Sequence, residues 1–80
     1  MTDKREVTLS KMKSGESGIV IQIQGGKGII NRFSALGIRI GQRITKISSM
    51  LLRGPVTIQV GNSQIAIGYG MANKVIVRVR

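Results

Sequence analysis

The only acids in the chain are Asp3, Glu6 and Glu16, and there is neither His nor Cys. General acid–base catalysis needs a positioned group that exchanges a proton near neutral pH. Three carboxylates near the N-terminus do not make a paired acid and base. A Ser/His/Asp arrangement is excluded without His or a substitute base, and nothing in the spacing brings a Ser and a Lys together. Zinc takes Cys, His or carboxylate at defined spacing, and non-haem iron takes imidazole with carboxylate. Glu16 is the one acid expected inside the fold, and a lone carboxylate is a weak ligand. The expectation is a protein that is not an enzyme, with no catalytic residue, no bound cofactor and no stoichiometric transition metal.

The chemistry that remains is cationic. From Ser17 to Arg80 there are nine Lys and Arg and no acid, and the formal net charge of the whole chain is +10. Such a field attracts polyanions: nucleic acid, an anionic membrane surface or an acidic protein patch. Solubility alone explains such a charge equally well. Lys27, Arg32, Arg39, Arg43, Lys46 and Arg53 are the candidates for a basic face. Gly25-Gly26-Lys27-Gly28 stands ahead of a helical pattern, as phosphate-binding loops do. It does not match G-x-x-x-x-G-K-[ST], and the following helix is too short for a nucleotide-binding unit. The favoured reading is a turn that redirects the chain from strand to helix.

Short strands must position these groups. Eighty residues make one domain with one modest core, and a stability of roughly 4–12 kcal/mol. Thirteen Ile and seven Val suit pleated strands, and eleven Gly suit many tight turns. Residues 1–8 read as a loose start, with 1–6 flexible; Leu9 and Met12 are the first core anchors. Residues 18–24 alternate, with Ile19, Ile21 and Ile23 on one face and Val20, Gln22 and Gln24 on the other. The period then changes: Ile29, Ile30, Phe33 and Leu36 predict a short helix over 29–36. Gly37 takes the left-handed cap position, and Ile38 folds back on Phe33.

Residues 43–49 read as a second strand with imperfect alternation, and residues 50–55 as a loop. Val56 to Val60 and Ile65 to Ile67 form a hairpin around Gly61-Asn62, with positive φ at its first position. Residues 68–73 are a connection. Residues 74–80 close the chain, with Val75, Val77 and Val79 on one face and Ile76, Arg78 and Arg80 on the other. Five such strands with one helix after the first favour a closed or nearly closed barrel over an open sheet.

The order of these features resembles the FeoA family (ferrous iron transport protein A), over about residues 7–80. The opening Leu, Gly turn and G-x-I-x-x-I strand are Leu9, Gly15 and Gly18-Ile19-Val20-Ile21-Gln22-Ile23. The Leu-Gly-Ile-x-x-Gly segment is Leu36-Gly37-Ile38-Arg39-Ile40-Gly41. Gly54-Pro55-Val56, the hairpin, and Ala72-Asn73-Lys74-Val75-Ile76-Val77 complete the set. No single piece is specific; the ordered set is. The resemblance implies a mainly β, small SH3-like five-stranded barrel with a helical insert. It also implies a cytosolic accessory role, binding the FeoB-type ferrous iron transporter. The same barrel closes some iron- and manganese-dependent repressors, but no DNA-reading helix pair precedes it in this sequence.

One segment departs from the family. Met50, Leu51, Leu52 and Arg53 occupy a loop that is often polar in it. They plug one end of the barrel or form an exposed partner or self-association surface, which makes a weak homo-oligomer one of the expectations. The competing function is a basic nucleic-acid-binding barrel, less favoured because only Phe33 and Tyr69 are aromatic. Residues 1–7 are polar with no apolar run behind them, and no stretch approaches the ~18 apolar residues of a membrane span. A cytoplasmic location is expected, extended by the basic field to a peripheral position on the inner face of the membrane.

Overall fold

Val75, Val77 and Val79 are fully buried while Ile76 is half-exposed and Arg78 exposed, so the last strand alternates as its sequence predicts. A buried isopropyl group contributes about 1.5–3 kcal/mol, which holds this strand at the centre of the molecule. The computed structural model describes residues 5–49 and 54–79. Its strands are β1 (Arg5–Thr8), β2 (Ser17–Ile23), β3 (Arg43–Ser49), β4 (Val56–Val60), β5 (Ser63–Ile67) and β6 (Val75–Val79). Helix α1 (Lys27–Ala35) follows β2, and a single helical turn, α2 (Tyr69–Ala72), precedes β6. A 3₁₀ turn, Leu9–Lys11, follows β1.

All six strands form one antiparallel sheet in the order β1-β6-β2-β3-β4-β5. This corrects the count of five strands. Residues 5–8, expected within a loose start, pair with β6 from Arg5↔Val79 to Thr8↔Ile76. Four polar or half-apolar residues carry no strand signal of their own; the partner strand supplies it. No β1–β5 pairing closes the ring among the described residues. The sheet curls around one core that includes Leu9, Met12, Val20, Phe33, Ile38 and Ile58.

Strand β2 corrects a second expectation. Ile19 is 40% exposed and Val20 is fully buried, the reverse of the predicted faces. Ile23 is nonetheless buried. A β-bulge reconciles them: Val20 pairs with Val77 and Gln22 with Ile76, leaving Ile21 as the extra residue. Side chains change face across that slip. Strand β3 carries a matching slip at Ile47, between Lys46↔Ile58 and Ser48↔Thr57, which is why its alternation is imperfect.

Helix α1 starts two residues earlier than predicted and ends one residue earlier, with Leu36 at its C-cap and Gly37 in the predicted left-handed position. Gly37 has φ +88°, its N–H donates to the Ser34 carbonyl, and the Ile38 N–H donates to the Phe33 carbonyl. This is the Schellman arrangement, with Phe33 and Ile38 both fully buried beside it. The N-terminus of α1 has no side-chain cap and no acid in its first turn. The helix is held by its C-terminal cap and by the packing of Phe33, with no contribution from an N-terminal side-chain cap.

Candidate functional site

Lys46 is the clearest departure from the expected basic face. It lies on the inward side of β3 in phase with Ile44, and only 2% of its surface is exposed. Its Nζ donates to the Ser10 carbonyl at 2.8 Å and the Met12 carbonyl at 2.6 Å. The main chain joins the same contact, since Gly15 N–H donates to the Lys46 carbonyl and Lys46 N–H to the Glu16 carbonyl. Burial lowers the Lys46 pKa from its ordinary value, and the nearby Glu16 charge raises it in partial opposition. Lys46 therefore ties the 9–16 segment to β3 and is not part of a binding face. The signal was present in the sequence: two residues from Ile44 in a strand means the same face.

The other four candidates among the described residues, Lys27, Arg32, Arg39 and Arg43, are exposed. Arg39 joins Ile23, Ile30, Ser34, Ile38 and Ile40 around a cleft of about 260 Å³ between α1 and the segment that follows it. Ile30 is 42% exposed and Ile40 68%. Arg43 instead lines a separate groove of about 610 Å³ on the outer side of the sheet, with Ile19, Ile21 and Arg78. Lys27 and Arg32 lie on α1 and line neither. Met50, Leu51, Leu52 and Arg53 lie outside the described residues. Ile30, Ile40 and Arg78 were not singled out from sequence. Ile40 had one usable signal: it extends the apolar set beyond the Gly37 cap, where the core has already been filled by Ile38.

Both acids of the described part are engaged. Glu16 accepts from Arg5 and from the Lys13 N–H, and Glu6 accepts from Arg78 at 3.2 Å. Among the described residues no three His, Cys, Asp or Glu come together as a metal site. No helix of the described part is long and apolar enough to cross a membrane.

Comparison with known proteins adds the family. The FeoA domain model matches residues 7–79. A protein of Methanocaldococcus jannaschii named "Putative Fe(2+) transport protein A" is 41% identical over 69 residues, 86% of this chain and 82% of that protein. The crystal structure of an iron uptake regulatory protein, FeoA, superposes with a TM-score of 0.89 at 37% identity, covering 95% of this chain and all of the other. The FeoA of Stenotrophomonas maltophilia, solved with zinc and described as an SH3 domain protein and candidate ferrous iron transport activating factor, gives 0.75 at 25% identity, covering 89% of this chain and 88% of that one. A manganese-dependent transcriptional repressor, at 17% identity and TM-score 0.83, shares the fold over 44% of its own length. The expected SH3-like architecture is thus present as a curled six-stranded sheet, and the chain belongs to the FeoA domain family, that of ferrous iron transport protein A.

Proposed function

We propose that this chain is a non-catalytic accessory protein of ferrous iron transport that binds the cytosolic part of a FeoB-type transporter. The observation that carries this reading is the match to the ferrous iron transport protein A family, and the cleft beside α1 is its candidate contact surface. Four isoleucines line it, two of them well exposed, and Arg39 is its one charged residue. An apolar centre with a polar edge is the anatomy of a protein-binding patch. Ile40, 68% exposed, would bury apolar surface under a partner. Iron enters this reading as the cargo of the transporter and not as a ligand of this chain.

The test is a pull-down with the transporter's cytosolic domain, repeated at high salt. Ile40→Ser should weaken capture about ten-fold or more, the effect of losing one well-packed anchor, with an unchanged circular dichroism spectrum. Undiminished capture would remove the cleft from the interface; no capture by the unaltered chain would remove the transporter. The nucleic-acid reading is the competing outcome. Phe33 is fully buried and cannot stack on a base, and Tyr69 is half-buried. Sub-micromolar binding of RNA or DNA at physiological salt would nevertheless establish it.

A further inference from the structure

The β2 register places three side chains in one row. Ile19 is the cross-strand partner of Arg43 in β3 and of Arg78 in β6. Directly opposed residues stand about 4.5–5.5 Å apart at Cα, so the two arginines flank Ile19 with their Cα atoms roughly 10 Å apart. The row faces outward: Ile19 is 40% exposed and both arginines are exposed. It continues to Glu6 in β1, the partner of Arg78 in register and in charge. Arg43 has no acidic partner among the described residues. The surrounding groove, about 610 Å³, is lined also by Ser17 and Ile21.

We infer that this groove is a docking site for an extended acidic segment of a partner protein, with an aliphatic residue between two carboxylates. The inference does not rest on the transporter reading, which concerns the cleft beside α1. The argument is complementarity. Two guanidinium forks favour carboxylates, which they hold through paired hydrogen bonds. Ile19 and the half-buried Ile21 between them favour an apolar group. An extended chain presents residues i, i+2 and i+4 on one side at about 6.7 Å intervals. Acid, aliphatic and acid at that spacing match arginine, isoleucine and arginine once the guanidinium groups splay outward. A lipid surface or a duplex is broad and convex or flat, and does not offer an apolar side chain between two anions. Glu6 takes up part of the Arg78 fork and turns it toward β1, so an incoming carboxylate competes with Glu6 for it.

The test is an amide-resonance titration and fluorescence anisotropy with a labelled ten-residue peptide carrying Glu-x-Leu-x-Glu. The controls are the Gln-x-Leu-x-Gln peptide, a DNA duplex and phosphatidylglycerol vesicles. Shift changes should concentrate on residues 18–21, Arg43 and Arg78. Arg43→Gln should weaken the acidic peptide about ten-fold, Glu6→Gln should tighten it, and Lys27→Gln on α1 should leave it within about two-fold. The inference is overturned if the acidic peptide fails to bind below about 1 mM. It is equally overturned if Arg43→Gln and Lys27→Gln weaken binding alike, or if vesicles or duplex perturb these resonances and the peptide does not. Because the pull-down depends on Ile40 and this titration on Arg43, either can fail without the other.

Discussion

Lys46 is charged by type and buried by place, and the 9–16 segment is arranged around it. Removing its amine leaves the carbonyls of Ser10 and Met12 without that donor, and an unpaired buried polar group costs about 1–3 kcal/mol. Lys46→Met keeps the aliphatic stem and should therefore lose about that much stability at pH 7 in urea unfolding. The pH dependence has a defined sign. The folded pKa lies below the ordinary value of 10.5 that the unfolded chain retains. Between the two, the unfolded state binds more protons, so stability rises with pH through that window and is level below it. The deficit of Lys46→Met relative to the unaltered protein should widen as pH rises toward 10.5. A constant difference across that range would show that Lys46 is not desolvated.

At the scale of the element, β2 depends on a glycine. A Cβ at Gly18 would lie 2.5 Å from Val77 Cγ1 and 2.6 Å from the Arg78 carbonyl oxygen, and that oxygen belongs to the paired main chain. Gly18→Ala should therefore destabilise the fold by about 1–3 kcal/mol, the usual cost of overpacking, measured by thermal or urea unfolding. A neutral result would mean that β2 and β6 can separate locally without loss. The end of α1 was legible in advance because a Schellman cap is local: Phe33, Gly37 and Ile38 lie within six residues of chain. The face of β2 was not. Its sequence offers isoleucines at alternate positions on one phase and Val20 on the other. The close β6 backbone admits only Gly18 on the inner side, and the slip at Ile21 then brings Ile23 inward. The short turn Tyr69–Ala72 was also missed, because the buried Ala72 packs through contacts distant in sequence.

At the scale of the molecule, the excess of positive charge is carried by several elements. Arg39 edges the cleft beside α1, Arg43 and Arg78 flank the outer groove, and Lys27 and Arg32 lie on the helix. The donor inventory offers no His or Cys, and Glu6 and Glu16 are both in ion pairs. The purified protein should carry less than 0.1 equivalent of zinc or iron by elemental analysis, on the order expected for adventitious metal, and a chelator should leave its Tm unchanged. One equivalent lost on chelation together with a fall in Tm would overturn this.

The sequence by itself determined the mainly β class, the hairpin at Gly61-Asn62, the capped helix and an inventory without His or Cys. These follow from residue type, from periodicity and from interactions a few residues long. Tertiary structure alone decided that Lys46 is inside, that residues 5–8 form a strand, and that Arg43, Ile19 and Arg78 share one row. Each depends on pairing between distant segments, and a single extra residue at Ile21 sets which side chains meet. A local pattern reports that a strand has two faces; only the partner strand, through register and close packing, decides which face is the core.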